Sequence, residues 1–84
     1  MLKKAREVAT RNSKRIERTE VIQSQGVDFK AYYDAENRLN KRGYTIQSMN
    51  KNNPIKFHKN NSLEGIIITD STYKDGGVVI VYFK

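Results

Sequence analysis

The hydrophobic residues of this chain change their spacing about halfway along it. Before Gly43 they recur at intervals of three and four residues, which is typical of helices. After Gly43 they alternate with polar residues or form continuous runs, which is typical of strands. The pattern predicts an α+β protein with two N-terminal helices followed by a four-stranded antiparallel sheet, in the order ααββββ, with a single layer of helix on the sheet.

The first segment, residues 1–24, has the composition of a helix. It contains no proline or glycine and is rich in Lys, Arg and Glu, which helices accept readily. Its hydrophobic residues follow the helical period, which is interrupted by the polar residues Asn12 and Ser13: Leu2, Ala5, Val8, Ala9 and Ile16. We predict one basic helix over residues 1–24, closed by Gly26 in a left-handed conformation.

The second segment predicts a core helix over residues 28–42 that packs on the sheet. Asp28 can cap its first turn, and Val27 and Tyr32 have the spacing of a hydrophobic staple. Basic residues gather near its carboxyl end, where the helix dipole favours cations, and we expect Gly43 to end it.

Residues 44–84 predict four strands in two hairpins. The first hairpin, over 44–47 and 55–58, alternates hydrophobic and polar residues, as strands with one buried face do. The second, over 65–69 and 78–83, is hydrophobic on both faces, so its second face needs a cover, either the first helix or another molecule. The strand order stays open between 2-1-4-3 and a simple meander.

The composition excludes several classes of protein. A chain of 84 residues has room for a single small domain, which we take as residues 1–84. It has no cysteine and one histidine, which excludes disulfides, thiol nucleophiles and cysteine-based zinc sites, and we expect neither a metal nor a cofactor. Because no long apolar run or signal-peptide pattern is present, we expect a cytoplasmic protein with no membrane partner.

The excess of positive charge is concentrated near the start of the chain. The net charge is +7, and the first twenty residues hold seven basic side chains against three acidic ones. On a helix, Arg11, Lys14, Arg15 and Arg18 would line one face, which is the arrangement of a phosphate-contacting surface, although a solvated helix face has the same pattern. The leading hypothesis is a non-enzymatic nucleic-acid-binding protein, DNA or RNA, that uses these residues: Arg11, Lys14, Arg15, Arg18, Lys56 and Lys59.

An alternative hypothesis is a small protein-binding module or inhibitor. The doubly hydrophobic last hairpin could dock on a host or phage protein or pair in a homodimer, with three tyrosines as interface anchors: Tyr33, Tyr73 and Tyr82. The size and the Lys-, Asn- and Ile-rich composition resemble those of accessory proteins of phages and mobile elements. That resemblance rests on composition alone and transfers no residue role.

The sequence offers little for catalysis. His58, between Lys56 and Lys59, could act as the base of a small ribonuclease, but the chain has no second histidine to act as the acid. We therefore predict that the protein is not an enzyme and has no catalytic residues.

Overall fold

A computed structural model describes residues 3–23, 30–47, 55–69 and 77–84 of the chain. The elements are α1 (Lys3–Arg11), β1 (Ile16–Ile22), α2 (Lys30–Lys41), β2 (Thr45–Ile46), β3 (Ile55–Lys59), β4 (Ser62–Thr69) and β5 (Val78–Phe83). The strands form one antiparallel sheet in the order β1-β5-β4-β3-β2. The α+β class is confirmed, but the described sheet has five strands where four were predicted.

The helix predicted over residues 1–24 is wrong in length, because α1 ends at Arg11. The interruption at Asn12 and Ser13 in the sequence marks the end of the helix, where Ser13 has a φ of 55°. The Ser13 N–H donates a hydrogen bond to the Thr10 carbonyl at 3.1 Å, and the Lys14 N–H donates one to the Ala9 carbonyl at 2.7 Å. This pair of hydrogen bonds around a left-handed residue is a Schellman motif. The predicted closing residue, Gly26, lies outside the described residues.

The rest of that segment forms β1, the strand that the sequence prediction missed. Its residues alternate near the carboxyl end, where Thr19 and Val21 are exposed, Glu20 is half-buried and Ile22 is buried. Ile16, Val21, Ile22 and Thr19 are β-branched and favour strands, whereas the Lys, Arg and Glu content of the segment is compatible with either structure.

Helix α2 lies inside the range predicted for the core helix, 28–42. It also ends in a Schellman motif, since Gly43 has a φ of 89° and the Tyr44 N–H bonds the Leu39 carbonyl at 3.0 Å. The expectation that Gly43 ends this helix is therefore confirmed. The predicted cap and staple residues, Asp28 and Val27, lie outside the described residues.

The two helices pack on opposite faces of the sheet, so the predicted single layer of helix is wrong. Helix α2 contributes Ala31, Tyr32, Ala35 and Leu39 to one buried cluster, which includes alternate residues of β5: Val78, Ile80 and Tyr82. Helix α1 contributes Ala5, Val8 and Ala9 to the other, which includes the intervening residues: Val79, Val81 and Phe83. The second face of the last two strands is thus covered by α1, one of the two covers expected from its hydrophobicity.

The last four strands form a meander, and β1 pairs with the free edge of β5. For the four predicted strands this is the simple meander, one of the two orders left open, and β1 shields the apolar β5 edge that such a meander alone would expose. Between β3 and β4, Asn60 and Asn61 have φ values of 53° and 64° and form a two-residue turn of type I′. Neither described helix has the length and apolar character needed to cross a membrane.

Candidate functional site

The six cations predicted to bind nucleic acid are divided between different parts of the fold. Arg11 is the last residue of α1, Lys14 and Arg15 lie in the connection that follows, and Arg18 lies in β1. The expectation that these four residues line one face of a helix is wrong, because the helix ends before three of them. Their part in nucleic-acid binding stays a prediction.

The two predicted lysines of β3 lie on opposite faces of the sheet. Lys56 is exposed and pairs with Ile66, whose side chain belongs to the cluster on the α1 side. Lys59 lies on the α2 side, where its ammonium group is 5.2 Å from the centre of the Tyr44 ring and 3.4 Å from the Arg42 carbonyl oxygen. The structure therefore places Lys59 near a different group of cations, which the sequence prediction did not identify.

That group surrounds a single carboxylate, and we call it the Glu20 cluster: Glu20, Arg18, Arg38, Arg42 and Tyr82. Arg42 Nη1 lies 2.6 Å from one carboxylate oxygen, and Arg38 Nη1 lies 2.9 Å from the other. Arg18 Nη1 lies 3.4 Å from the first oxygen, and the Tyr82 hydroxyl donates a hydrogen bond to the same oxygen. Three arginines and one tyrosine, which come from β1, from the carboxyl end of α2 and from β5, thus converge on Glu20.

The secondary structure explains why these side chains meet. Arg18 and Glu20 are two residues apart in β1 and therefore share a face, and the strand register sets Arg18 opposite Tyr82 of β5. Arg38 lies in the last turn of α2 and Arg42 directly follows the helix, so their side chains are one turn apart on the same side, where the helix dipole favours cations. The face of α2 that packs on the sheet brings this turn over β1.

The electrostatics of the cluster keep Glu20 ionised. Partial burial alone would raise the pKa of Glu20, but hydrogen bonds from Arg42, Tyr82 and Arg38 lower this pKa from 4.5 to about 2. Burial, followed by the hydrogen bond to Glu20, raises the pKa of the Tyr82 hydroxyl to about 12, so it remains a donor at neutral pH. The hydrogen bond to Glu20 raises the pKa of Arg42.

The cluster rests on a layer of aromatic rings. The guanidinium carbon of Arg18 is 4.0 Å from the centre of the Tyr82 ring, a cation–π distance. The Tyr82 ring packs at a steep angle against Phe57, with 5.6 Å between centroids, and Tyr44 lies 5.1 Å from Phe57. Because Phe57 and Tyr82 are buried, this layer gives the cationic side chains a rigid support.

The three tyrosines predicted as interface anchors have different positions. Tyr82 is only 3% exposed and belongs to the core and to the Glu20 cluster, so it is not available as a surface anchor. Tyr33 is 51% exposed on α2, and Tyr73 lies outside the described residues.

His58 does not take part in the cluster. It is half-buried in β3, where it pairs with Thr45 on one side and Leu63 on the other. Within the described ranges, no three His, Asp or Glu side chains gather as metal ligands would. The expectation that the protein is not an enzyme stays a prediction.

Sequence reasoning missed Glu20, Arg38 and Arg42 as members of a site. The spacing of Arg38 and Arg42 was visible, but it indicated only a favourable helix end. The signal that could have indicated the cluster is the β-branched content of residues 16–22, which favours a strand and would place Arg18 and Glu20 on one face of it.

Comparisons of the chain with models of known protein families, with curated proteins and with solved structures found no match in any of the three. The function of the chain therefore has to be inferred from the chemistry of the site itself.

Proposed function

We propose that this protein binds nucleic acid and that its phosphate-contacting surface consists of the arginines of the Glu20 cluster together with Lys59. The observation that carries the proposal is the convergence of three guanidinium groups on one carboxylate. Glu20 can neutralise one of the three charges, so two remain in excess, and Lys59 adds a third.

The arginines are held in place but remain accessible. Their side chains are 54%, 45% and 41% exposed for Arg18, Arg38 and Arg42, whereas the Glu20 side chain is 17% exposed. The carboxylate therefore lies beneath the guanidinium groups, and their outer N–H donors face solvent. Arginine presents several donors in a fixed plane, which suits phosphate oxygens, and prior ordering reduces the entropy lost on binding.

The surface beside the cluster can accommodate a nucleic-acid backbone. A groove of about 590 Å³ runs between α2 and the end of β1, and its lining includes Arg38, Asn37 and Lys41 together with one acidic residue, Asp34. Lysine and asparagine side chains are common phosphate donors. The contacts are directed to phosphates, and we therefore expect binding with weak sequence preference.

The cluster also joins α2 to β1, and a purely structural role would produce the same contacts. The two roles are distinguished by the affinity for nucleic acid and by how that affinity changes with salt concentration and with the number of exposed charges. Three charges in excess that each neutralise one phosphate predict that the logarithm of the affinity falls with the logarithm of salt concentration at a slope of about −2 to −3. A purely structural cluster predicts no nucleic-acid binding at this face.

The test is a fluorescence-anisotropy titration of a labelled oligonucleotide, single-stranded and duplex, from about 50 to 300 mM salt. Arg18→Gln removes the most exposed arginine while the closer Arg38 and Arg42 contacts to Glu20 remain. We expect the affinity to fall and the salt slope to become shallower by about 1. Arg11→Gln, which changes the net charge equally at the end of α1, is the matched control.

Two results would overturn the assignment. Absence of binding by the unmodified protein at about 50 mM salt would refute nucleic-acid binding, because the electrostatic contribution is largest there. A loss of affinity with Arg11→Gln but not with Arg18→Gln would instead locate the interface at the end of α1. Thermal unfolding of each variant confirms that the comparison is between folded proteins.

A further inference from the structure

The two edges of the sheet differ in their capacity to pair with another chain. Strand β2 at one edge has two residues, whereas β1 at the other edge has seven. An edge strand presents a row of backbone N–H and C=O groups without sheet partners on its outer side, and such rows attract other strands. Val21 of β1 is 46% exposed, an unusual exposure for a large hydrophobic residue in this sheet.

About its central residue, Thr19, β1 has oppositely charged residues at one mirrored pair of positions and identical residues at another, whereas the third pair, Glu17 and Val21, does not match. Arg18 and Glu20 are the oppositely charged pair on either side of Thr19, and Ile16 and Ile22 are the identical pair at the two ends. In an antiparallel pair of identical strands, each residue is opposite the one at the mirrored position. Pairing about Thr19 would therefore set Arg18 of each copy opposite Glu20 of the other.

Electrostatics distinguishes this register from its neighbours. Two strands can pair symmetrically about any residue, so the nearest alternative registers are centred one residue away, on Arg18 or Glu20, and the next one, on Val21, pairs Glu20 with Ile22 and forms no pair of opposite charge. The first two registers place two arginines or two glutamates directly opposite each other, and like charges across a strand pair are destabilising. Of these centres, Thr19 alone gives two pairs of opposite charge.

We propose that β1 pairs antiparallel with β1 of a second copy of this chain, about a two-fold axis at Thr19. The pairing joins two five-stranded sheets into one continuous sheet. Because the irregularity between Ile16 and Arg18 lies opposite the carboxyl end of the other copy, regular pairing is confined to residues 18–20 of each strand, so the dimer is weak and forms at high protein concentration.

The geometry of this dimer places the two Glu20 clusters on the same side of the joined sheet. A two-fold axis through a pair of antiparallel strands is perpendicular to the sheet, so both copies of α2 lie on one face. Arg18 of each copy then lies next to the cluster of the other. The dimer itself does not depend on nucleic-acid binding and can be tested without it.

The test uses the absence of cysteine from the natural chain, so that a single introduced cysteine reports one contact. Thr19→Cys places the two thiols opposite each other at the axis, at a Cα separation of about 4.5–5.5 Å that a disulfide can bridge. Val21→Cys and Tyr33→Cys are the controls, because both positions are exposed and neither lies on the axis. We expect Thr19→Cys to form covalent dimers at least about tenfold faster than either control under mild oxidation.

Sedimentation equilibrium of the unmodified protein provides the second measurement. A rise in average mass with protein concentration is the expected result. A monomer at every concentration up to the solubility limit would overturn the proposal. Equal cross-linking rates at the three positions, or a faster rate for Val21→Cys, would overturn the register about Thr19.

Discussion

The replacement Glu20→Gln should make the stability of the protein less dependent on pH. The folded structure lowers the pKa of Glu20 from 4.5 to about 2, so the ionised form binds its partners in the folded state. A carboxyl group with a lowered folded-state pKa stabilises the protein fully above its unfolded value of about 4.5, and this stabilisation disappears as the pH falls to about 2. Glutamine retains a hydrogen-bond acceptor but carries no charge and does not titrate.

The expected magnitude follows from the difference between the two pKa values. A tenfold change in proton affinity corresponds to about 1.4 kcal/mol, so the fall from 4.5 to about 2 corresponds to an upper limit of about 3.4 kcal/mol. The three arginines are 41–54% exposed, and solvent weakens their attraction for the carboxylate. We therefore expect Glu20→Gln to lower the free energy of unfolding by about 1–2 kcal/mol at neutral pH.

Urea unfolding followed by far-ultraviolet circular dichroism measures this difference, since the chain has no tryptophan. An m-value of about 1 kcal/mol/M converts 1–2 kcal/mol into a shift of the urea midpoint by about 1–2 M at pH 7, and the two proteins should converge near pH 2. Glu17→Gln is the matched control, because Glu17 is an exposed glutamate of the same strand. A difference between Glu20→Gln and the unmodified protein that is the same at pH 7 and near pH 2 would refute the reasoning.

Three further variants test the packing of the sheet and its turns by thermal unfolding. Gly65→Ala should cost about 3 kcal/mol or more, because a Cβ atom would lie 2.1 Å from the Val81 carbonyl oxygen and 2.3 Å from Cζ of Phe57. Gly43→Ala should cost only about 1 kcal/mol, since its φ is 89° but the nearest atom is 3.7 Å away, and equal losses at the two glycines would contradict this account. Asn61→Gly should raise the stability by about 0.5 kcal/mol, because glycine adopts a φ of 64° without steric cost, and a loss of stability would count against the type I′ turn.

Elements with local signals were predictable from the sequence. Helix α2 has a glycine at its end and a regular hydrophobic face, so its range and its termination at Gly43 could be read from neighbouring residues. Strand β1 has no such local signal. Its pairing partner, β5, lies about sixty residues away, and Ile16 also fitted the stripe of the preceding helix. Pairing with β5, which is distant in the sequence, determines that this segment is a strand and not a helix.

The Glu20 cluster could not be predicted for a related reason. Its charges come from β1, from the end of α2 and from the residue that follows α2, and Tyr82 comes from the last strand. A sequence shows which residues share a face of one element, but it does not show which faces of different elements meet. In the helix predicted for this segment, Arg18 and Glu20 point to different faces, so the sequence prediction does not bring them together.

The position of β5 in the chain has a consequence for biosynthesis. This strand supplies three residues to each buried cluster and pairs with both β1 and β4, yet it is the last of the five strands to be translated. Until it emerges, β1 has no strand to pair with, and each buried cluster lacks the three residues that β5 supplies. The protein therefore cannot complete its fold progressively during synthesis. A chain interrupted before residue 78 would leave both buried clusters incomplete and β1 unpaired, and we expect it to be a substrate for proteolysis.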